Sequence, residues 1–453
     1  MRKIMEIKLS SISPASIGGY DTFADAIPRL TSIRGISRWW ARALIGGWAY
    51  DNQYDIIDTI QKIIPRIFGG QLKRNNVEEH VSSLLDFRFE SISRKSTLSQ
   101  HFRIDLLFMK LNTAIRRASS RRDGKVRESL EELEKMCKFS PRIREIIYID
   151  LKKAKDRFNR MDWSTLTRIL RSIREKLLRA LLMELEFKLI VYSKARVPTN
   201  SIVQYEYLGA LSIVLALALG CIGKISRRGL GSFKIDILDT KLEELNDITG
   251  LVETLPSSAR ELIRSLRNIT NEVMNYLSKQ IVIKKVDSVK LPLISVITNN
   301  IVEHVPMFSI WLKENVNNVY DEIKRLFLVT QHGSLARNLK FARKGKQSIK
   351  LAWYLGLPRS VKGAGYIESA VLKKENTKEI RMLVERRASP LHVKVFKNCV
   401  MILHFVSKDW PSEIIWRGAT TQKIKISDNK ILMAASIVNN CLKELQYTKI
   451  YPL

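Results

Sequence analysis

Residues 182–193, LMELEFKLIVYS, alternate apolar and polar side chains through Glu184, Glu186 and Lys188, the period-2 signature of a strand with one buried face. Toward the C-terminus, residues 203–220 read as an apolar helix and 232–238 as another strand. Toward the N-terminus, residues 82–92 (SSLLDFRFESI) and 4–12 (IMEIKLSSI) read as strands, and 33–48 (IRGISRWWARALIGGW) as a helix. On that helix Ile36, Trp40, Ala43 and Leu44 share one face, while Arg34, Arg38 and Arg42 gather opposite. The stretch 110–180 stands apart, with 21 Lys/Arg against 10 Asp/Glu and helically spaced Leu and Ile, and reads as a helical insertion with solvated basic faces. Without it the order is βαββαβ, which predicts a ferredoxin-like module over residues 1–239. Residues 240–279 read as a helical connector. Strands expected at 281–287, 391–397 and 400–406, with helices near 308–328 and 431–444, suggest a second ferredoxin-like (RRM-like) module over 280–453. The expected class is α+β, and no sequence repeat relates the halves.

Charge narrows the function. The 453 residues include 77 Lys/Arg and 45 Asp/Glu, a formal net charge of +32, which points to a polyanionic partner. With 45% hydrophobic residues the chain is too apolar for a disordered basic tail, so the charge sits on folded surfaces. Cys137, Cys221, Cys399 and Cys441 form no C-x-x-C pair, which argues against a zinc ribbon or a disulfide framework and fits a reducing cytoplasm. The N-terminus lacks the apolar core of a secretory signal. The longest uncharged stretch, Tyr207 to Gly223, is 17 residues, short of the ~20 that span a bilayer, and reads as a buried helix.

Three segments could carry binding chemistry. The loop from Gly220 to Ser232 sets Gly223, Gly229 and Gly231 among Lys224, Arg227 and Arg228, a mixture that can expose backbone N–H groups and charge to phosphate oxygens. Two readings stand, a phosphate site or a glycine-rich turn with solvated arginines. Ile225 occupies the hydroxyl position after Gly223-Lys224, so this is not a Walker loop. The Arg34/Arg38/Arg42 row offers guanidinium forks for phosphate, with Trp39 either stacking on a base or packing, and Trp40 in the core. Residues 335–397 carry 16 Lys/Arg and 4 acids, with Trp353 and Tyr354 among glycines, which reads as a groove for a single-stranded backbone or as an unstructured basic loop. Catalytic signals are poor. The six histidines form no metal-binding pair, no G-x-S-x-G elbow occurs, and Asp21 and Asp25 after the Gly18-Gly19 turn are nonspecific.

The chain resembles the RAMP-superfamily subunits of CRISPR effectors, most closely the family of the subunit numbered one in the type III-B Cmr RNA-targeting complex. Three groups of residues carry the resemblance: Ile17-Gly18-Gly19 with Ile33-Arg34-Gly35 and Arg38-Trp39-Trp40-Ala41-Arg42; Arg227-Arg228-Gly229-Leu230-Gly231; and Leu355-Gly356-Leu357-Pro358-Arg359 with Arg386-Arg387-Ala388-Ser389-Pro390-Leu391. It implies two ferredoxin-like folds and no small-molecule cofactor, metal, substrate or membrane. It also implies a non-catalytic place where the 3′ part of the guide RNA meets the paired target RNA, among the other subunits of the complex. RNA contacts are expected from Arg34, Arg38, Trp39, Arg42, Lys224, Arg227, Arg228, Arg359, Arg386 and Arg387, with Gly18, Gly19, Gly223, Gly229 and Gly231 shaping the loops. The alternative function is a metal-independent endoribonuclease that matures guide RNA, with His80 and His101 in the same module; a free-standing basic protein on membranes or bulk nucleic acid is a third.

Overall fold

The computed structural model describes the chain apart from residues 14–28, 75–76, 96–107, 109–110, 116–123, 140, 181–183, 196, 223–230, 328–333, 345–346, 349, 357–358, 362–364, 370–388, 418–420 and 453. In chain order come β1 (Arg2–Ser11), α1 (Leu30–Asp51), α2 (Ile56–Phe68), the hairpin β2 (Gly70–Arg74) and β3 (Val77–Val81), and β4 (Leu85–Lys95). They are followed by α3 (Gly124–Phe139), α4 (Pro141–Asn159), α5 (Trp163–Ala180), β5 (Glu184–Ser193), α6 (Asn200–Ala218) and β6 (Phe233–Thr240). The antiparallel sheet runs β4-β5-β1-β6, so its strands stand in the order second, third, first, fourth. Ile7 pairs with Leu189 and Leu9 with Phe187, putting the apolar half of each alternating strand on one face. The other face carries paired charges, Glu6 with Lys3 and Lys188, and Lys8 with Glu186.

The helices α7 (Asn246–Glu253) and α8 (Ala259–Ser278) occupy the expected connector, and α8 buries Leu262, Leu266 and Met274 in the first core. Next come β7 (Phe308–Lys313), α9 (Val319–Phe327), α10 (Leu335–Lys340), β8 (Arg359–Val361), β9 (Gly365–Ser369), β10 (Leu391–Val395), β11 (Val400–Phe405), β12 (Glu413–Arg417), β13 (Thr421–Lys425), α11 (Asp428–Glu444) and β14 (Thr448–Tyr451). A second sheet runs β10-β11-β7-β14, the same second, third, first, fourth order, and a further sheet runs β8-β9-β12-β13.

The second sheet is buried on both faces. Phe308, Ile310, Met401, Leu403 and Phe405 join α1, α6 and α8 in the first core. Trp311, Val393, Val395, Val400 and Ile402 face α11 in the second. The layers are therefore sheet, helices, sheet, helices. This burial explains one departure from the expected elements: the helix anticipated near 308–328 is a strand over Phe308–Lys313 followed by a helix over Val319–Phe327. A strand covered on both sides loses its alternation and resembles a buried helix. Residues 281–287 form no strand; there only Lys285 bridges Tyr54, because this segment lies against one loop and not inside a sheet.

The insertion has its own core, built from residues such as Leu111, Leu130, Leu133, Leu151, Phe158, Leu166 and Ile173. Helix α6 is long and apolar enough to cross a membrane, yet every residue from Glu206 to Ala218 is buried in the protein.

Candidate nucleic-acid interface

The residues that carry chemistry in the sequence lie on three segments far apart in the chain, and described parts of these segments meet at one junction. The N-terminal half of α1 supplies the first. Ile33, Ser37, Trp40, Ala41 and Leu44 are buried along one side, which turns Arg34, Arg38 and Arg42 to the other. Arg42 is exposed; Arg34 and Arg38 are half-buried. The Arg34 guanidinium stands 5.4 Å from the centre of the Phe87 ring. No described carboxylate pairs with any of the three, and burial together with the neighbouring charges of Arg34 and Arg42 lowers the Arg38 pKa from its ordinary value. Cations at this spacing, without a carboxylate partner among the described residues, are able to take up an anion.

Arg38 has a second duty that its sequence pattern does not reveal. It donates to the carbonyls of Phe68 and Gly69 at 2.5 and 2.6 Å, closing the C-terminal end of α2. Part of its donor capacity is thus spent on the fold.

Trp39 resolves toward packing. Its ring stacks on His392 with centroids 4.5 Å apart and meets Phe405 edge-on at 5.3 Å. Trp40 is fully buried, as its place on the apolar face requires.

The second segment is the stem of the glycine-rich loop. Gly220 packs on α1 so closely that an added Cβ would lie 2.9 Å from Trp40 Nε1 and 2.3 Å from the Ala216 carbonyl oxygen. Gly231 has φ +72°, and a Cβ there would come within 1.8 Å of the Ile222 oxygen, so only glycine fits. Ser232 ties the stem together: its N–H donates to Ser13 Oγ at 2.9 Å, and its carbonyl oxygen accepts from the N–H groups of Ile12 and Ser13. Gly223, Lys224, Arg227, Arg228 and Gly229 lie outside the described residues, as do Gly18 and Gly19. Both undescribed stretches nevertheless start from this one point, after Ser13 and after Ile222.

The third segment is β10, which follows the Arg386-Arg387 motif. Its Val395 N–H donates to Ser232 Oγ at 3.0 Å, and the Cys221 thiol donates to the Val393 carbonyl at 3.3 Å. Lys394 binds the whole junction. Its ammonium is fully buried and donates to three carbonyls, Leu217 and Gly220 at 3.0 Å each and Phe233 at 2.8 Å. Burial pushes its pKa down to about 8, while the three acceptors match its three protons, so it is charged at neutral pH. Sequence reasoning counts Lys394 among the basic residues of 335–397 but has no signal for this role; a lysine flanked by Val393 and Val395 inside an apolar strand is the one hint.

Other expectations for this region change. Trp353 and Tyr354 are fully buried and pack on Trp410 in the second core, so they do not line a groove. Tyr354 instead serves His404: the imidazole bonds the Tyr354 hydroxyl through Nε2 and Asn439 Oδ1 through Nδ1, both at 3.0 Å. Burial drives the His404 pKa down to about 4, so the ring is neutral. Arg359 opens β8 on the β8-β9-β12-β13 sheet. Arg386 and Arg387 lie outside the described residues. Among the described residues no cluster of three or more His, Cys, Asp or Glu could hold a metal.

Comparison with known proteins gives the family. The model of the RAMP superfamily matches residues 8–234, half of the chain, from within β1 to the start of β6. No curated protein matches. Among solved structures, the chain is similar to one in the cryo-EM structure of the type III-B Cmr-beta complex bound to cognate target RNA, at 14% identity over 98% of this chain and 100% of that one, TM-score 0.48. It is also similar to Cmr1 from Pyrococcus furiosus in its apo form, at 15% identity over 99% and 98%, TM-score 0.47. The family match spans α1 and the glycine-rich loop, and on it this chain belongs to the RAMP superfamily.

Proposed function

We propose that the chain is a non-catalytic RNA-binding subunit of a type III-B CRISPR effector complex, acting in the cytoplasm with guide RNA, target RNA and the other subunits as partners. One observation carries the reading: α1, whose outer side bears a row of three guanidiniums with no carboxylate partner among the described residues, packs through its buried side on the junction with the glycine-loop stem and β10. Superfamily membership and the resemblance of the motifs support the choice of complex. On this reading the repeated strand order marks two ferredoxin-like modules, residues 1–239 and 280–453, joined by 240–279. Arg34 and Arg42 contact phosphates, and Lys224, Arg227 and Arg228, which precede Gly231 in the chain, and Arg386 and Arg387, which precede β10 in the chain, add further phosphate contacts. Arg359 extends the surface from β8. The paired charges on the open face of the first sheet leave that face without the excess cation a polyanion needs.

The test measures binding of single-stranded RNA by the full chain across a salt series. Changing Arg34 and Arg42 together to Ala is expected to weaken binding for every sequence and to lower the slope of log K against log salt by roughly 0.7 for each arginine removed. Unchanged affinity and slope would refute the interface. Nothing described favours the nuclease alternative: His80 is exposed on the β2-β3 hairpin, and His101 is outside the described residues.

A further inference from the structure

With Trp353 and Tyr354 buried, the basic stretch 335–397 needs another aromatic if it is to hold unpaired bases, and the structure offers one. Phe341 is 56% exposed at the end of α10. Its display is enforced by its neighbours: Leu335, Ala336, Leu339 and Ala342 are buried on either side, Ser334 caps the helix at the Arg337 N–H, and the Phe341 N–H bonds the Arg337 carbonyl at 3.0 Å. The pinned backbone keeps the Phe341 Cα at the surface. Two cations attend the ring, Lys340 Nζ at 4.8 Å and the Arg337 guanidinium at 5.7 Å from its centre. An aromatic face in water, held by a pinned backbone and flanked by cations, matches what a single-stranded nucleic acid presents, a flat base joined to phosphates. Arg343, Lys344 and Lys346 follow directly in the chain. The site is separate from the α1 row, because α10 packs in the second core and the doubly buried sheet lies between them.

We propose that Phe341, with Arg337 and Lys340, is a stacking seat for one unpaired base of single-stranded RNA. This rests on the RNA-binding reading above and adds a second point of contact to it. An apolar side chain of a neighbouring protein subunit is the competing occupant, and the flanking cations favour the nucleic acid.

The experiment compares the full chain, Phe341→Ala, Phe341→Tyr and the Arg34→Ala/Arg42→Ala double variant by fluorescence anisotropy. The probes are a labelled short oligouridylate and an oligomer of equal length carrying abasic sites. Phe341→Ala is expected to lose about tenfold in affinity for oligouridylate, to keep the wild-type salt slope, and to bind the abasic oligomer as the wild type does. Phe341→Tyr is expected to retain binding. The double variant, in contrast, loses slope on both oligomers. An unchanged melting temperature for Phe341→Ala verifies that the fold is intact. If Phe341→Ala binds both oligomers like the wild type while the double variant is impaired, the stacking seat is overturned and the α1 interface stands. The seat is equally overturned, in favour of a protein occupant, if Phe341→Ala binds RNA normally but no longer assembles with partner subunits. If the wild type binds neither oligomer, both readings fall.

Discussion

At the scale of single residues, two buried ionisable groups should write themselves into the pH dependence of stability. Lys394 has a folded pKa of about 8 against an ordinary 10.5, so the unfolded chain holds more protons between these values and stability rises with pH across that window. Lys394→Met removes this rise and, by orphaning three carbonyls, is expected to cost about 2–4 kcal/mol at pH 7. Denaturant unfolding of both proteins at pH 7, 9 and 10 checks it; a difference between them that does not widen with pH would refute the assignment. His404 acts on the acid side. Its folded pKa of about 4 lies below the ordinary 6.5, so its contribution is whole above pH 6.5 and declines as pH falls toward 4, by on the order of 3 kcal/mol. His404→Gln should flatten that part of the wild-type stability curve, and an acid limb identical to the wild type's would exclude the role.

At the scale of elements, α1 separates packing from binding along its length. Trp40→Ala is expected to cost ~3–5 kcal/mol as a core truncation. Arg42→Ala, at an exposed position, should leave the melting temperature unchanged and lower RNA affinity. Arg38→Ala is expected to do both kinds of damage, about 1–3 kcal/mol of stability from the two uncapped carbonyls of α2 together with weaker binding; thermal melting and anisotropy on the three variants tell these outcomes apart. The face carrying Trp40 and the face carrying the arginines were legible from helical periodicity alone, as were the four strands of the first sheet and the helices α1 and α6, because the sequence pattern marks each of them. The bonds from Arg38 to Phe68 and Gly69 were not, since no expected element covered α2. The stretch Phe308–Lys313 was misread for the reason that it has no solvent side. The glycine loop was legible as a motif, but its meeting with β10 through Ser232, Cys221 and Lys394 depends on pairings across more than 160 residues that no local pattern encodes.

At the scale of the whole molecule, the insertion is a separable body. Among the described residues its core shares none with the other two, and its two attachment points face each other, Lys95 opposite Glu184 in the β4-β5 ladder. Replacing residues 96–183 with Asn-Gly, which favours a two-residue hairpin turn, should give a folded chain whose melting temperature lies within a few degrees of the parent's. Loss of cooperative unfolding in that variant would mean that the insertion props up the main body. The doubly buried sheet has the opposite character, and its consequence falls in time. During synthesis, the apolar sides of α1, α6 and α8 leave the ribosome well before β7, β10 and β11 exist to cover them. At roughly 5–20 residues per second, the interval between residues 278 and 405 leaves that surface open for about six to twenty-five seconds, the period in which a nascent chain most needs a chaperone or its assembly partners.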